Sequence, residues 1–168
     1  MYYKLIQTKK TKFSRILVAT DGSETSLRAA EYAIAIATEK KEENNASLLI
    51  AIHVLPSQVG YAYSSDIYGL ATSTSISEFL ESIKKEAEKW FDKIKQKADD
   101  INKKIQLKTE VVATDRSVVG AIVEYAEHEN IDLIIIGTRG RSGFKKMLLG
   151  SVASGVVTYA HCPVMVVK

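Results

Sequence analysis

Three glycines and a serine in fixed order, Gly137-x2-Gly140-x9-Gly150-Ser151, are the residues of this chain whose types and spacing point most directly to chemistry. That chemistry is anion binding. A glycine has no Cβ, so main-chain N–H groups can approach a ligand closely. A helix start adds unpaired N–H donors and a partial positive charge. The first two glycines follow a short apolar run, Ile131-Asp132-Leu133-Ile134-Ile135-Ile136, and the third stands where a helical pattern begins at Ser151, so the set reads as a phosphate cradle. The residues between Gly140 and Gly150 allow a turn and a short helical piece, Phe144 to Leu149, which brings the third glycine back beside the strand end. Ser151 has two readings, a helix cap or a phosphate ligand. Among the neighbouring cations, Arg139 is the choice for phosphate, since a guanidinium grips two oxygens at once. Lys145 and Lys146 read as solvated.

The elements that must position these residues alternate along the chain. Arg15 to Thr20 is β-branched and apolar and predicts a first strand; Asp21-Gly22-Ser23-Glu24 is turn and cap chemistry with Ser23 as N-cap. Leu27, Ala30, Ile34 and Ala37 recur at helical spacing. Ser47 to Val54 predicts a second strand covered on both faces. Residues 56–75, rich in Ser, Thr, Tyr and Gly, read as a long excursion with a helical turn near Ile67 to Ala71. An amphipathic stripe then runs from Ile76 through Trp90 to Ile105, a core face against a sheet. Gln106 to Ala113 alternates apolar and polar, as an edge strand does. A loop with an N-cap at Thr114 to Ser117, a helix through Ile122 and Ala126, the strand from Ile131, the glycine segment, a helix from Ser151 and a last strand Val164 to Val167 complete the pattern. Such alternation predicts an α/β fold: a single five-stranded parallel sheet, open and doubly wound, with helices on both faces and strand order 3-2-1-4-5. Ligands of these sheets bind beyond the carboxyl ends of the strands where the order reverses, here between the first and fourth.

Length and composition fit one domain. The chain has 168 residues, 46% hydrophobic and 26% charged, with net charge +3. Five of the 23 basic residues and none of the 20 acidic ones stand in the first fifteen positions. Residues 1–14 therefore read as a basic arm ahead of a domain over 15–168; without a nucleic-acid motif or a basic body, the arm reads as a solvated tail and nucleic acid is not expected as a partner. No apolar run approaches the roughly 18 residues of a membrane span. One cysteine, Cys162, excludes an internal disulfide and fits a cytoplasmic setting.

The chain resembles the universal stress protein family. The likeness is carried by Val18-Ala19-Thr20-Asp21-Gly22-Ser23-Glu24-Thr25-Ser26, by Ile52-His53-Val54, by the complete glycine pattern, and by Cys162-Pro163-Val164-Met165-Val166-Val167. It spans essentially Arg15 to Lys168. It implies an ATP-binding, cytoplasmic, dimeric protein of stress physiology; the apolar last strand itself reads as an exposed edge that invites pairing with its copy in a homodimer. The resemblance also implies a role for each residue. Ala19, Thr20 and Asp21 would line the adenosine end, and Val54 would offer backbone groups to the adenine edge. Gly137, Arg139 and Gly140 would border ribose and phosphates, and Gly150, Ser151 and Val152 would hold the phosphate tail. A divalent ion, Mg2+ or Mn2+, would sit among the phosphates and owe little to the protein. Asp21 keeps two readings: it orders the turn before the first helix, or it accepts from a ribose hydroxyl or the adenine amino group. Two departures stand out. Thr114-Asp115-Arg116 replaces a Gly-x-Pro turn frequent in the family, and Ala153 lacks the hydroxyl some members carry there.

Other chemistries find little support. There is no Gly-x4-Gly-Lys-Ser/Thr loop and no Gly-x-Gly-x-x-Gly loop. No set of nucleophile, base and acid suggests a mechanism. His53 reads as a hydrogen-bonded core residue beside the crevice, Cys162 as a small buried residue, and His161 next to it as a poor start for a zinc site. Three functions follow: an ATP-binding regulatory module; a slow ATPase or nucleotidyl-transferring enzyme on the same fold; or a dimeric interaction module without nucleotide. The downstream protein partner is not named by any residue.

Overall fold

Hydrophobic runs of two kinds build the sheet: continuous ones at its centre and an alternating one at its edge. The computed structural model describes residues 13–38, 47–56, 73–101, 105–140 and 149–168. Within them the order is β1 (Arg15–Ala19), α1 (Glu24–Thr38), β2 (Leu48–Pro56), α2 (Ser73–Ile101), β3 (Gln106–Thr114), α3 (Val118–His128), β4 (Leu133–Gly137), α4 (Ser151–Tyr159) and β5 (Val164–Val167). The five strands are all parallel, as the alternation predicts, and lie in the expected order β3-β2-β1-β4-β5. The central strand β1 aligns Ala19 with Ile52 of β2 and with Ile136 of β4.

Period-two alternation sorts the strand residues onto two helical layers. Ile16, Val18, Leu49, Ala51, Leu133 and Ile135 face α1 and α2, packing with Ala33, Ile34, Trp90 and Ile94. Leu17, Ile50, Ile52, Ile134 and Ile136 face α3 and α4, packing with Ile122, Ala126, Ala153 and Val156. Burial on both faces explains why β1, β2 and β4 read as unbroken apolar runs. β3 has a partner on one side only, and its alternating pattern matches that edge position.

Several boundaries differ from the sequence reading. β2 continues through Leu55 and Pro56, because β3 pairs with it to that point, Pro56 opposite Thr114. α2 begins at Ser73, so helix replaces the last part of the expected excursion; residues 57–72, including the turn expected near Ile67, lie outside the described residues. Phe13 and Ser14, counted with the basic arm, are tied to the sheet: Ser47 Oγ donates to Phe13 O (3.0 Å), and Ser14 N donates to Asp132 Oδ2 (2.7 Å). The rest of the arm lies outside the described residues.

Candidate functional site

The order of the sheet reverses at β1 and β4, and the chain leaves these two strands toward helices on opposite faces. A cleft of about 320 Å³ opens there, above their carboxyl ends. All ten residues singled out in the sequence border it: Ala19, Thr20, Asp21, Val54, Gly137, Arg139, Gly140, Gly150, Ser151 and Val152. Arg141, Lys145, Lys146 and most of the helical piece expected from Phe144 lie outside the described residues.

The turn after β1 is held by its own polar side chains. Asp21 Oδ1 accepts from Ser23 N (3.0 Å) and Ser23 Oγ (2.6 Å), so of its two readings the turn-ordering one is visible. Ser26 Oγ donates to Ser23 O (2.9 Å) and lies 3.1 Å from Thr20 Oγ1. Ser23 caps α1 as expected, its Oγ accepting from Ser26 N (3.3 Å). Gly22 has φ +78°, and a Cβ there would lie 2.2 Å from the Trp90 indole, so both backbone conformation and space demand glycine.

The protein's own packing bears on each motif glycine, most firmly on Gly137. A Cβ on Gly137 would lie 2.8 Å from the Thr25 backbone, and one on Gly140 2.5 Å from Asp21 Oδ2. A Cβ on Gly150 would stand 3.1 Å from the Thr138 carbonyl oxygen, the same oxygen that accepts the Gly150 N–H (2.7 Å). The spacing therefore lets the walls of the cleft close on one another, a packing use of the glycines that stands beside the expected cradle. The Arg139 carbonyl accepts from Thr25 Oγ1 (2.6 Å), which ties the glycine segment to the start of α1 and leaves the Arg139 side chain exposed.

The start of α4 corrects a second expectation. Ser151 is not the cap: Gly150 is, with extended backbone and no side-chain bond to the helix. The first helical bond runs from Ser154 N to Gly150 O (2.9 Å), so the N–H groups of Ser151, Val152 and Ala153 precede it and have no intrahelical acceptor. Ser151 is exposed at the lip of the cleft, its hydroxyl released from capping.

A pair of main-chain groups opens on the opposite wall. Thr20 N donates to Ile52 O (2.8 Å), so Ile52 turns its peptide groups toward β1. Two residues on, Val54 has the same orientation. β1 has ended by then, and among the described residues no main-chain bond joins Val54 to the β1 side. Sequence reasoning missed part of the lining: Ser26, Val118, Ile122, Ile136 and Thr138 also border the cleft. Val118 and Ile122 are four apart on α3, a spacing that marks one helix face, but nothing in the sequence separates cleft-facing from core-facing positions.

His53 also borders the cleft, whereas Cys162 does not. His53 Nδ1 bonds Thr20 O (2.9 Å), the hydrogen-bonded role expected of it. Cys162 is half-buried rather than buried, and burial together with the Asp132 carboxylate pushes its thiol above the usual range. Lys108, Glu110 and Tyr125 form a hydrogen-bonded cluster on β3 and α3, where Lys108 and Tyr125 donate to Glu110 and hold its carboxyl below the usual range. Among the described residues no group of three or more His, Cys, Asp or Glu is placed to hold a metal ion, and no helix is long and apolar enough to cross a membrane.

A five-stranded parallel sheet of this order with a glycine-lined cleft at its switch point defines a class of α/β proteins, and comparison narrows the class. The model of the universal stress protein family matches residues 12–168, and the chain belongs to that family. It is 37% identical to Universal stress protein MJ0531 of Methanocaldococcus jannaschii over 98% of this chain and 87% of that one. The solved structure of MJ0577 from the same organism superposes with a TM-score of 0.75 at 28% identity, covering 94% of this chain and 97% of that one. Two more distant members share the fold. One is a universal stress protein solved in complex with cAMP (TM-score 0.60, 23% identity, 94% and 98% of the two chains). The other is from Archaeoglobus fulgidus, in complex with dAMP (TM-score 0.60, 19% identity, 94% and 100%).

Proposed function

We propose that this protein is an ATP-binding regulatory module of the stress response. The convergence of ten residues from four separate segments on one cleft carries the reading. The cleft divides into two chemistries. Val54, Val118, Ile122 and Ile136 make an apolar wall that suits a flat heterocycle, with the Val54 N–H and C=O at its edge for adenine. The uncapped start of α4 supplies N–H donors and a partial positive charge for the phosphate tail at Gly150, Ser151 and Val152. Ala19, Thr20 and Asp21 border the adenosine, and Gly137, Arg139 and Gly140 the ribose and first phosphates. Mg2+ or Mn2+ enters with the phosphates. Support comes from two distant members solved in complex with adenine nucleotides, cAMP and dAMP.

Regulation rather than turnover is favoured because, among the described residues, the acidic and imidazole groups lining the cleft are Asp21 and His53, and both are engaged in holding the β1 turn. β5 is a sheet edge, and pairing with its copy in a second subunit would cover that edge. A cytoplasmic homodimer is the assembly proposed. Isothermal titration of nucleotide-stripped protein tests the function. ATP with Mg2+ is expected to bind to the wild type and not to Gly140→Val, whose side chain would displace Asp21. No heat with ATP, or equal binding by the variant, removes the reading; light scattering decides between dimer and monomer.

A further inference from the structure

The sheet stops pairing at an unusual place. In a parallel ladder that aligns Ala19 with Ile52 and bonds Thr20 N to Ile52 O (2.8 Å), the next bond would run from Val54 N to Thr20 O. That bond is absent among the described residues. Thr20 O instead meets the imidazole of the residue before, His53 Nδ1, at 2.9 Å. A carbonyl only accepts, so Nδ1 carries the proton and donates it. The side chain of His53 stands on the α1–α2 face of the sheet, that of Val54 on the α3–α4 face. The imidazole is braced from behind: Trp90 of α2 packs edge-on against it, with centroids 5.1 Å apart and planes at 84°, and the same indole fills the space beneath Gly22.

We infer that His53 is a positioning residue for base recognition: by taking the Thr20 carbonyl it ends the β1–β2 ladder one bond early and leaves the Val54 N–H open to the cleft. This rests on the nucleotide reading and adds what keeps its base-binding edge unpaired. A single side chain thereby links three parts of the molecule, the β1 turn, the β2 edge and the α2 helix. The role differs from catalysis, since His53 acts through the peptide of its neighbour.

Two measurements test it. The first needs no ligand. By amide hydrogen exchange in the wild type, the Val54 N–H is expected to exchange about a hundredfold faster than the Ile52 N–H, and His53 to be in the Nδ1–H tautomer by nitrogen NMR. In His53→Ala the vacated Thr20 carbonyl accepts from Val54, and the difference closes. The second is titration with ATP and with inorganic tripolyphosphate. His53→Ala is expected to weaken ATP about tenfold while leaving tripolyphosphate unchanged, and His53→Asn, whose amide N–H can replace Nδ1–H, to restore ATP binding. Equal protection of Val54 and Ile52 in the wild type overturns the inference, whether or not the alanine variant folds. So does an equal loss for both ligands. If the wild type binds no ATP, the nucleotide reading falls, and exchange at Val54 still decides the role of His53.

Discussion

The starts of α3 and α4 border the same cleft from neighbouring helices, yet they are finished differently. α3 is capped by its own sequence: Ser117 Oγ accepts from Gly120 N (3.0 Å). α4 begins at Gly150, which has no side chain to offer, and its first-turn N–H groups find no protein acceptor among the described residues. α1 resembles α3, with Ser23 in the capping position. Capping serves stability by satisfying donors that folding would otherwise strand. Leaving one helix start without a side-chain cap forgoes that gain, and it does so where the glycine segment and the β1 turn also converge. The difference between the two helix starts locates the proposed anion end more sharply than the glycine spacing alone.

The comparison can be broken by giving α4 the cap it lacks. Gly150→Asp would place a carboxylate against the same N–H groups and repel phosphate; ATP affinity is expected to fall at least about a hundredfold, read by titration, or about 2.7 kcal/mol. Melting of the empty variant should change little, because the new cap is offset by crowding at the Thr138 carbonyl. Gly137→Ala probes the wall rather than the donors. Its Cβ would press on the backbone of Thr25 and Ser26 at the start of α1, and denaturant unfolding should show a loss of about 1–3 kcal/mol. Ser117→Ala removes the α3 cap and should cost about 1 kcal/mol of stability with ATP affinity unchanged. Ser151→Ala sharpens the contrast most finely. Since Ser151 is not a cap, stability should stay within about 0.5 kcal/mol, and a loss as large as that of Ser117→Ala would contradict the assigned helix start.

Much of this was legible in one dimension. Unbroken apolar runs at β1, β2 and β4 and alternation at β3 announce which strands are central and which is at an edge, because burial on two faces or one leaves a direct trace in residue type. The family likeness then picked out ten positions that do meet in space. The functions of the glycines were legible only in part. Their absence of a Cβ is plain in the sequence, but the atoms that would collide with one, Thr25, Asp21 Oδ2 and Thr138 O, come from segments the linear pattern does not connect to them. Ser151 illustrates the same limit at a helix start. Serine is a good cap by propensity, but the register of the first helical bond, Ser154 to Gly150, put it one position inside.

Residue chemistry by itself determined that β and α segments alternate, that the sheet is parallel, and that a glycine segment lies beyond a central strand, since each follows from local periodicity and from the handedness of crossovers. Tertiary structure alone decided which donors and acceptors are spent inside the protein and which have no protein partner among the described residues. Ser23 and Ser117 close their helices while Gly150 leaves α4 open, and His53 occupies the carbonyl that Val54 would otherwise reach. Those outcomes depend on distances of about 3 Å between groups far apart in the chain, and hydrogen bonding at that range is settled by packing, not by composition.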